Sequence, residues 1–348
     1  MKNINEIHLE DIISDLKTAH VKLDLKFLKI LIQNAAGCER PWRNIEFSEK
    51  IGCNINTKIQ SATGINGWIN GHTTVPVSKL IKIVELSKYN WTDVEKNLTY
   101  IKAGQKRGEV RPKFPIKLDH KIGAIIGHIL GDGSINKRGE SIFFCNSNPE
   151  LLKEFMYFMK EIFDVEPRIW VQKPKIFEEK TEWLKRINCI EEIPPNHVVS
   201  LFYPKICVRI IKTLFGNFAD GRSKKITTEI KYSPFELKRG LIRAFFDDEG
   251  TVYTQRIALR VFQDNKEILE NIRIMLKEFD INSDKISSYT KRDKERYYFT
   301  ISNYRDCFSY YIKIGFTSSA KSAMLASLIY RLRNGKKWQY IRRLELSV

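Results

Sequence analysis

Two acidic residues of this chain stand directly before a glycine at the end of an apolar helical pattern. Asp132 closes KIGAIIGHILGDG at Lys121–Gly133, and Glu249 closes KRGLIRAFFDDEG at Lys238–Gly250. The interval between them is 117 residues, and the same offset carries Lys121 to Lys238, Gly123 to Gly240 and Gly133 to Gly250. It also carries Asn148 to Asn265 and Glu150 to Glu267, which open NPELLKEFMYFMKEIF and NKEILENIRIMLKEFD. One offset shared over about thirty positions marks an internal duplication, two copies of one supersecondary unit. Paired carboxylates brought to one place repel each other unless a proton or a cation intervenes. Mg²⁺ accepts oxygens from one or two carboxylates together with phosphate and water. Placed at a phosphodiester, such metal ions stabilise the attacking and leaving oxygens of an in-line displacement. The chemistry expected of Asp132 and Glu249 is therefore metal-assisted hydrolysis of a nucleic-acid backbone.

The elements that must carry these acids are two helices. Apolar side chains surround the first almost completely, at Ile122, Ala124, Ile125, Ile126, Ile129 and Leu130, while Gly123 and Gly127 recur at four-residue spacing. The second copy has Gly240 and Ala244 at the same places. Small residues at that spacing leave a strip on which another helix lies closely, so the two helices are expected to pack face to face with their acidic ends together. His128 falls inside the first helix and reads as an interface or core residue, not as a ligand.

Composition limits the partners. The 348 residues hold 59 Lys+Arg against 41 Asp+Glu, a formal net charge of +18, with 43% apolar content. That excess of cations fits a polyanionic partner, most often nucleic acid. Six cysteines lie scattered without a CxxC pair, which argues against a zinc ribbon or a disulfide framework. The start, MKNINEIHLEDIISDLK, lacks the order of a signal peptide, and no apolar run is long enough to cross a bilayer. A cytoplasmic protein without a membrane partner is expected.

Taken in order, residues 1–100 read as a small all-helical domain. FSEKIGCN, TKIQSATGINGWINGHTT and VPVSKLIKIVELS form short helices joined by Gly and Asn turns. Their spacing resembles repressor-type helix-turn-helix domains, with Gly64–Gly71 near DNA; a plain helical bundle is the alternative. Residues 101–119, with two glycines, two prolines and a cation cluster, read as a basic linker. Residues 120–232 and 233–348 are the two copies, each with the order helix, hairpin, helix, hairpin, helix. In the first, the second hairpin is interrupted by Lys173–Pro195, expected as a long loop at the edge. A C-terminal helix is expected from about Ser318 to Arg333, followed by a basic tail.

IIGHILGDG and IRAFFDDEG, each followed by a hairpin inside a duplicated unit, resemble the two-motif LAGLIDADG homing endonucleases over about His120 to Ala326. FFDDEG departs little from the family pattern; in the first motif Leu130 stands where the family often has an acid, and Gly131 replaces the usual Ala. The resemblance implies an α+β fold of duplicated αββαββα units forming a pseudo-twofold saddle. It implies a monomer that cuts both strands of a long, pseudo-palindromic DNA target, with Mg²⁺, or another divalent ion such as Mn²⁺, held by Asp132 and Glu249. Gly131 and Asp248, just before those acids, join the metal set, and Asp247 is structural. Asn146 and Gln263, equivalent under the offset, and Lys321 with Lys225 as its counterpart, would position water near the scissile phosphates.

Strand alternation supplies the DNA-facing candidates. They are Asn136, Arg138, Arg168, Trp170 and Gln172 in the first half, and Tyr253, Gln255, Arg260, Lys291, Arg292, Arg296 and Tyr298 in the second. Arg reads guanine, Gln and Asn read adenine, and Lys mainly holds phosphate. Two other functions use the same basic surface: a non-cleaving DNA-binding regulator, which has no need of both acids, and an RNA maturase that assists intron splicing. An intein is disfavoured, since the chain starts with Met and ends Leu-Ser-Val, without the terminal nucleophile and His-Asn pair.

Overall fold

The computed structural model describes residues 5–53, 64–103, 108–136, 138–172, 183–187, 197–220, 223–253, 258–291 and 294–330. Its axis is a pair of packed helices, His120–Leu130 and Phe235–Glu249. The contact between them is reciprocal. A Cβ added at Gly123 would meet the Leu237 carbonyl oxygen at 2.0 Å, and one added at Gly240 would meet that of His120 at 2.0 Å. Since the 117-residue offset exchanges Gly123 with Gly240 and His120 with Leu237, the same contact is made twice about a pseudo-twofold axis. Gly127 is confined in the same way, its would-be Cβ 2.4 Å from the Leu241 carbonyl oxygen and 2.9 Å from the Ala244 methyl.

Each helix leads into an antiparallel sheet. In the second half the strand order is Gly250–Tyr253, Ala258–Gln263, Lys294–Ile301, Ser287–Lys291. In the first it is Trp183–Ile187, Arg168–Gln172, Val198–Pro204, Ser141–Asn146, Gly133–Ile135. Thus the Lys173–Pro195 segment is not only a loop: four of its residues, Trp183, Lys185, Arg186 and Ile187, pair with the strand Arg168–Gln172 and give the first sheet an extra edge strand. Amphipathic helices cover one face of each sheet, Pro149–Phe163 and Lys205–Phe215 in the first half, Lys266–Glu278 and Tyr304–Lys313 in the second. The core between helices and sheets is rich in aromatic residues, with Phe144, Phe155, Phe163, Phe245, Phe246, Phe299 and Tyr310 fully buried. Each such side chain contributes roughly 2 kcal/mol through removal from water.

The duplication extends to polar detail. Asn148 caps its helix by accepting from Glu150 N at 2.9 Å, and Asn265 accepts from Glu267 N at 2.9 Å. Lys121 pairs with Glu161 at 3.3 Å, while Lys238 pairs with Glu278 at 2.7 Å; both partners are related by the same offset.

The N-terminal region is mixed, not all-helical. His20–Leu23, Leu98–Lys102, Val75–Pro76 and Glu109–Val110 form a four-stranded sheet against helices such as Leu25–Ala36 and Val77–Leu86. Each strand is short enough to pass for a loop or helix end in sequence, and Val75–Pro76 has only two residues. The helix Gly64–Ile69 buries Ile65, Trp68 and Ile69, and residues 54–63 before it lie outside the described set. The expected linker is also docked. Glu109–Val110 joins the N-terminal sheet, Ile116–Lys117 pairs with Glu6–Ile7, and Arg111 N and Lys113 N donate to the carbonyls of Phe163 and Ile162. At its far end, residues 319–330 are helical and residues 331–348 lie outside the described set.

Candidate functional site

The two motif helices end side by side, and their ends differ. The second runs through Glu249, whereas the first stops at Leu130, because Gly131 turns away with φ −78° and ψ −114° and presents Asp132 just beyond the helix. Each acid meets the amide side chain that the sequence placed with it. Asn146 Nδ2 donates to Asp132 Oδ2 at 2.9 Å, and Gln263 Nε2 donates to Glu249 Oε1 at 3.4 Å. Both amides sit at the ends of the strands that follow the motif helices, so the hairpin fixes the distance between amide and acid.

The electrostatics of the cluster follow from crowding. Burial, then the Asp248 charge, pushes the Asp132 carboxyl up to about 7; Lys224, His128 and Lys321 act against the rise. Burial, then Asp132, pushes Glu249 up to about 7 as well. Asp132 remains open to solvent at its tip, so its desolvation comes from the surrounding walls and not from enclosure. Carboxylates crowded so that Asp248 disfavours the charge of Asp132, and Asp132 that of Glu249, make a place where a divalent cation is stabilising. Their oxygens are hard donors suited to Mg²⁺ or Mn²⁺. Among the described residues no group of three or more His, Cys, Asp or Glu side chains is arranged to hold an ion alone. A cation here would therefore draw further oxygens from phosphate and water.

Two half-buried lysines close the helix ends. Lys321 Nζ donates to the carbonyls of Phe246 at 3.2 Å and Gly250 at 2.6 Å, and also to Asp247 O. Its counterpart is Lys224, which donates to the carbonyls of Leu130 at 3.1 Å and Gly131. Lys225, the residue expected there, is exposed one position further on. GRSKKI contains two adjacent lysines, and alternation along the short strand Ser223–Lys224 sends the first inward. Burial lowers the pKa of both Lys224 and Lys321, and the nearby carboxylates oppose that shift. Such cations neutralise the carbonyl ends of the helices and face the acidic cluster.

Asp247 is buried and turned away from the cluster. Its oxygens accept from Thr317 N at 2.8 Å and Ser318 N at 3.0 Å, which opens the helix at 319–330. Burial nevertheless raises its pKa to about 6. Asp248, in contrast, points into the interface. Its Oδ2 lies 3.0 Å from His128 Nδ1 and accepts from Asp132 N at 3.4 Å, and its Oδ1 accepts from Asn146 Nδ2 at 3.3 Å. His128 is fully buried, as an interface residue should be, and its Nε2 lies 3.3 Å from Glu154 Oε2. Burial lowers its pKa, but Asp248 and Glu154 outweigh that and raise it to about 10. The sequence had no signal for Glu154 in this role, because a glutamate in the middle of an amphipathic helix reads as a solvated charge.

Strand register tests the facing of the DNA candidates. Arg260 opposes Thr300, Phe262 opposes Tyr298 and Tyr289 opposes Arg296, while Val261 and Phe299, one residue away, face the helices. Tyr253, Arg260, Arg296 and Tyr298 therefore share the open face. The Arg260 guanidinium lies over the rings of Tyr298 and Tyr253 at 4.6 and 5.0 Å, and Arg296 Nε donates to Asp264 at 2.5 Å. Lys291 is in the edge strand and in phase with this face. In the first half Phe202 opposes Arg168, Ser200 opposes Trp170 and Val198 opposes Gln172, which puts those three strand positions on the corresponding face. Asn136 lies just past the strand Gly133–Ile135 and is bonded to Glu140 N through its Oδ1, while Arg138 is exposed in the turn. Gln255 and Arg292 lie outside the described residues. No described helix is long and apolar enough to cross a membrane.

Residues 236–315 match the model of the LAGLIDADG-like domain family. Two Methanocaldococcus jannaschii proteins share a stretch with the chain. The DNA-directed RNA polymerase subunit Rpo1C is 27% identical over 227 residues, 65% of this chain and 23% of that protein. The replication factor C small subunit is 26% identical over 205 residues, 59% of this chain and 10% of that protein. The chain thus spans less than a quarter of either relative. Among solved structures, the homing endonuclease I-DmoI in complex with DNA and Mn is 16% identical with a TM-score of 0.40, covering 57% of this chain and 98% of that one. Full-length DUF199/WhiA from Thermatoga maritima is 17% identical with a TM-score of 0.37, covering 65% of this chain and 68% of that one.

Proposed function

Starting from a LAGLIDADG-like domain at residues 236–315 and a matching unit before it, we propose that the chain is a site-specific, double-strand DNA endonuclease of the homing kind. The observation that carries this reading is the nearness of Asp132 and Glu249, one from each half, close enough for the Asp132 charge to raise the Glu249 carboxyl, each with its own strand-end amide at 2.9 and 3.4 Å. Asp132 and Glu249 hold the divalent cation, Mg²⁺ or Mn²⁺, with Gly131 and Asp248 beside them. When bound, the ion supplies charge stabilisation to the phosphate and activates water. Asn146 and Gln263 orient the acids and the attacking water, and Lys224 and Lys321 hold the helix ends. The open sheet faces bind the duplex through Arg168, Trp170, Gln172, Tyr253, Arg260, Lys291, Arg296 and Tyr298, and the excess of cations steers it there.

Likeness over part of the chain to two proteins as unlike as a DNA-directed RNA polymerase subunit and a replication factor C small subunit, of which it covers only 23% and 10%, supports a module that moves between host genes. We take the protein to act as a monomer in the cytoplasm on a long, imperfectly symmetric target, with the N-terminal region extending the contacted site. The test begins with a randomised plasmid library incubated with the full chain and Mg²⁺, from which cleaved sites are sequenced. Asp132→Asn and Glu249→Gln should abolish cutting of the selected site and leave its binding within about threefold of wild type. Cutting that survives in both variants refutes the assignment. Binding without any cutting by the wild-type chain identifies a non-cleaving DNA-binding protein instead.

A further inference from the structure

The two halves of the site are alike at the acids and unlike one layer further in. Behind Asp132 a continuous polar chain crosses the helix interface. Glu154 Oε1 accepts from Arg243 Nη2 at 2.6 Å and from Thr317 Oγ1 at 2.9 Å, and Glu154 Oε2 lies 3.3 Å from His128 Nε2. On its other side His128 Nδ1 lies 3.0 Å from Asp248 Oδ2, and Asp248 in turn accepts from Asn146 Nδ2 at 3.3 Å and Asp132 N at 3.4 Å. The orientation of the Asn146 amide is set by its oxygen, which accepts from Asn148 N at 2.8 Å. Under the 117-residue offset, Asp248, His128, Glu154 and Arg243 correspond to Gly131, Phe245, Asn271 and Ile126. None of these can build the same chain behind Glu249.

We propose that His128 and Asp248 are positioning residues for the Asp132 half alone, so that the two DNA strands are hydrolysed with unequal support. The inference rests on the nuclease reading above. Stability does not account for the chain, because a buried ionic group can be replaced by packed apolar residues without loss, and the other half shows such a replacement with Phe245 and Ile126. What the chain adds is a fixed place for Asp132 and Asn146: a carboxylate that touches both, itself held by a fully buried imidazole. Among the described residues the side-chain hydrogen bond to Glu249 is that of the Gln263 amide, at 3.4 Å, with no carboxylate–imidazole pair behind it.

The experiment uses the full chain and a supercoiled plasmid bearing a selected site, with Mg²⁺. His128→Phe copies the residue that the other half already accommodates, and Asp248→Asn is the smaller change should that variant fail to fold. Either variant should slow hydrolysis of one strand at least tenfold relative to the other, so that nicked circles accumulate; Gln263→Ala should slow the opposite strand. Equal slowing of both strands, or unchanged rates in variants that melt with the wild type, overturns the proposal. If the wild-type chain leaves every plasmid intact, the nuclease reading falls by itself. Mn²⁺ titration of the DNA-free chain, followed by electron paramagnetic resonance, then decides the positioning role. A tenfold or greater loss of affinity in Asp248→Asn supports it, and equal affinity overturns it.

Discussion

Gly131 and Asp248 occupy equivalent places in the two halves, and the first makes room for the second. A Cβ at Gly131 would stand 2.6 Å from Asp248 Oδ2 and 2.7 Å from Asp248 Cβ. Gly131→Ala should therefore displace Asp248 from His128 and Asn146 and slow cleavage at least tenfold, and adding Asp248→Gly should recover nothing, because the carboxylate that holds Asn146 is then gone. Single-turnover rates of the two proteins check this.

The closest approach of the motif helices gives a prediction about stability. At Gly123 and Gly240 a methyl group would press on backbone oxygens at 2.0 Å, and backbone cannot yield as a flexible side chain can. Either glycine replaced by Ala should destabilise the fold by about 3 kcal/mol, the upper range for overpacking. Thermal or urea unfolding measures it, and a loss below about 1 kcal/mol would mean that the helices separate easily.

Acid–base behaviour should depend on metal. The folded Asp132 and Glu249 carboxyls are raised to about 7, by burial first and by neighbouring acids next, above ordinary values of 3.8 and 4.5. Between those limits the folded chain binds more protons than the unfolded one, so stability contributed by these groups is lost as pH rises from about 4 to about 7 and is flat above. Metal binding requires both groups deprotonated. In a chelator the melting temperature should therefore fall over that window, and Mg²⁺ should raise it more at pH 8 than at pH 5.5. An equal Mg²⁺ effect at both values would exclude these acids as its ligands.

The adjacent lysines of GRSKKI separate cleanly. Lys224 satisfies the Leu130 and Gly131 carbonyls at the end of the first motif helix, and Lys225 is exposed. Lys224→Met should lower the cleavage rate by tenfold or more, and Lys225→Met should leave the rate within about twofold, with a slightly weaker salt dependence of binding. The reverse pattern would return the role to Lys225.

Arg260, on the open face, lies over the Tyr253 and Tyr298 rings and donates from Nε to Thr300 Oγ1 at 3.3 Å. Arg260→Ala should weaken binding by about 1–3 kcal/mol and relax selection at one or two neighbouring base pairs of the target. A uniform loss over all sequences would make it a phosphate contact instead.

How far the sequence could be read follows from what repeats. The offset exposed the motif helices, both sheets and the pairing of Asn146 with Gln263, because each of these is made twice. The choice of Lys224 over Lys225 was hidden, since it depends on which side of a two-residue strand faces inward. The chain from Arg243 through Glu154 and His128 to Asp248 was hidden for the opposite reason: it exists once, between elements far apart in sequence, and no periodicity announces it. The N-terminal sheet escaped notice because two of its four strands contain two residues each and owe their place to partners across the domain.

The pairing of Glu6–Ile7 with Ile116–Lys117 fastens the start of the chain to the segment that enters the first motif helix. The second half has no comparable appendage among the described residues. If the sheet faces bind a duplex as proposed, the described residues give the molecule a head and a tail: they offer extra protein to flanking sequence on one side only, and even a palindromic target would then have a preferred direction of docking.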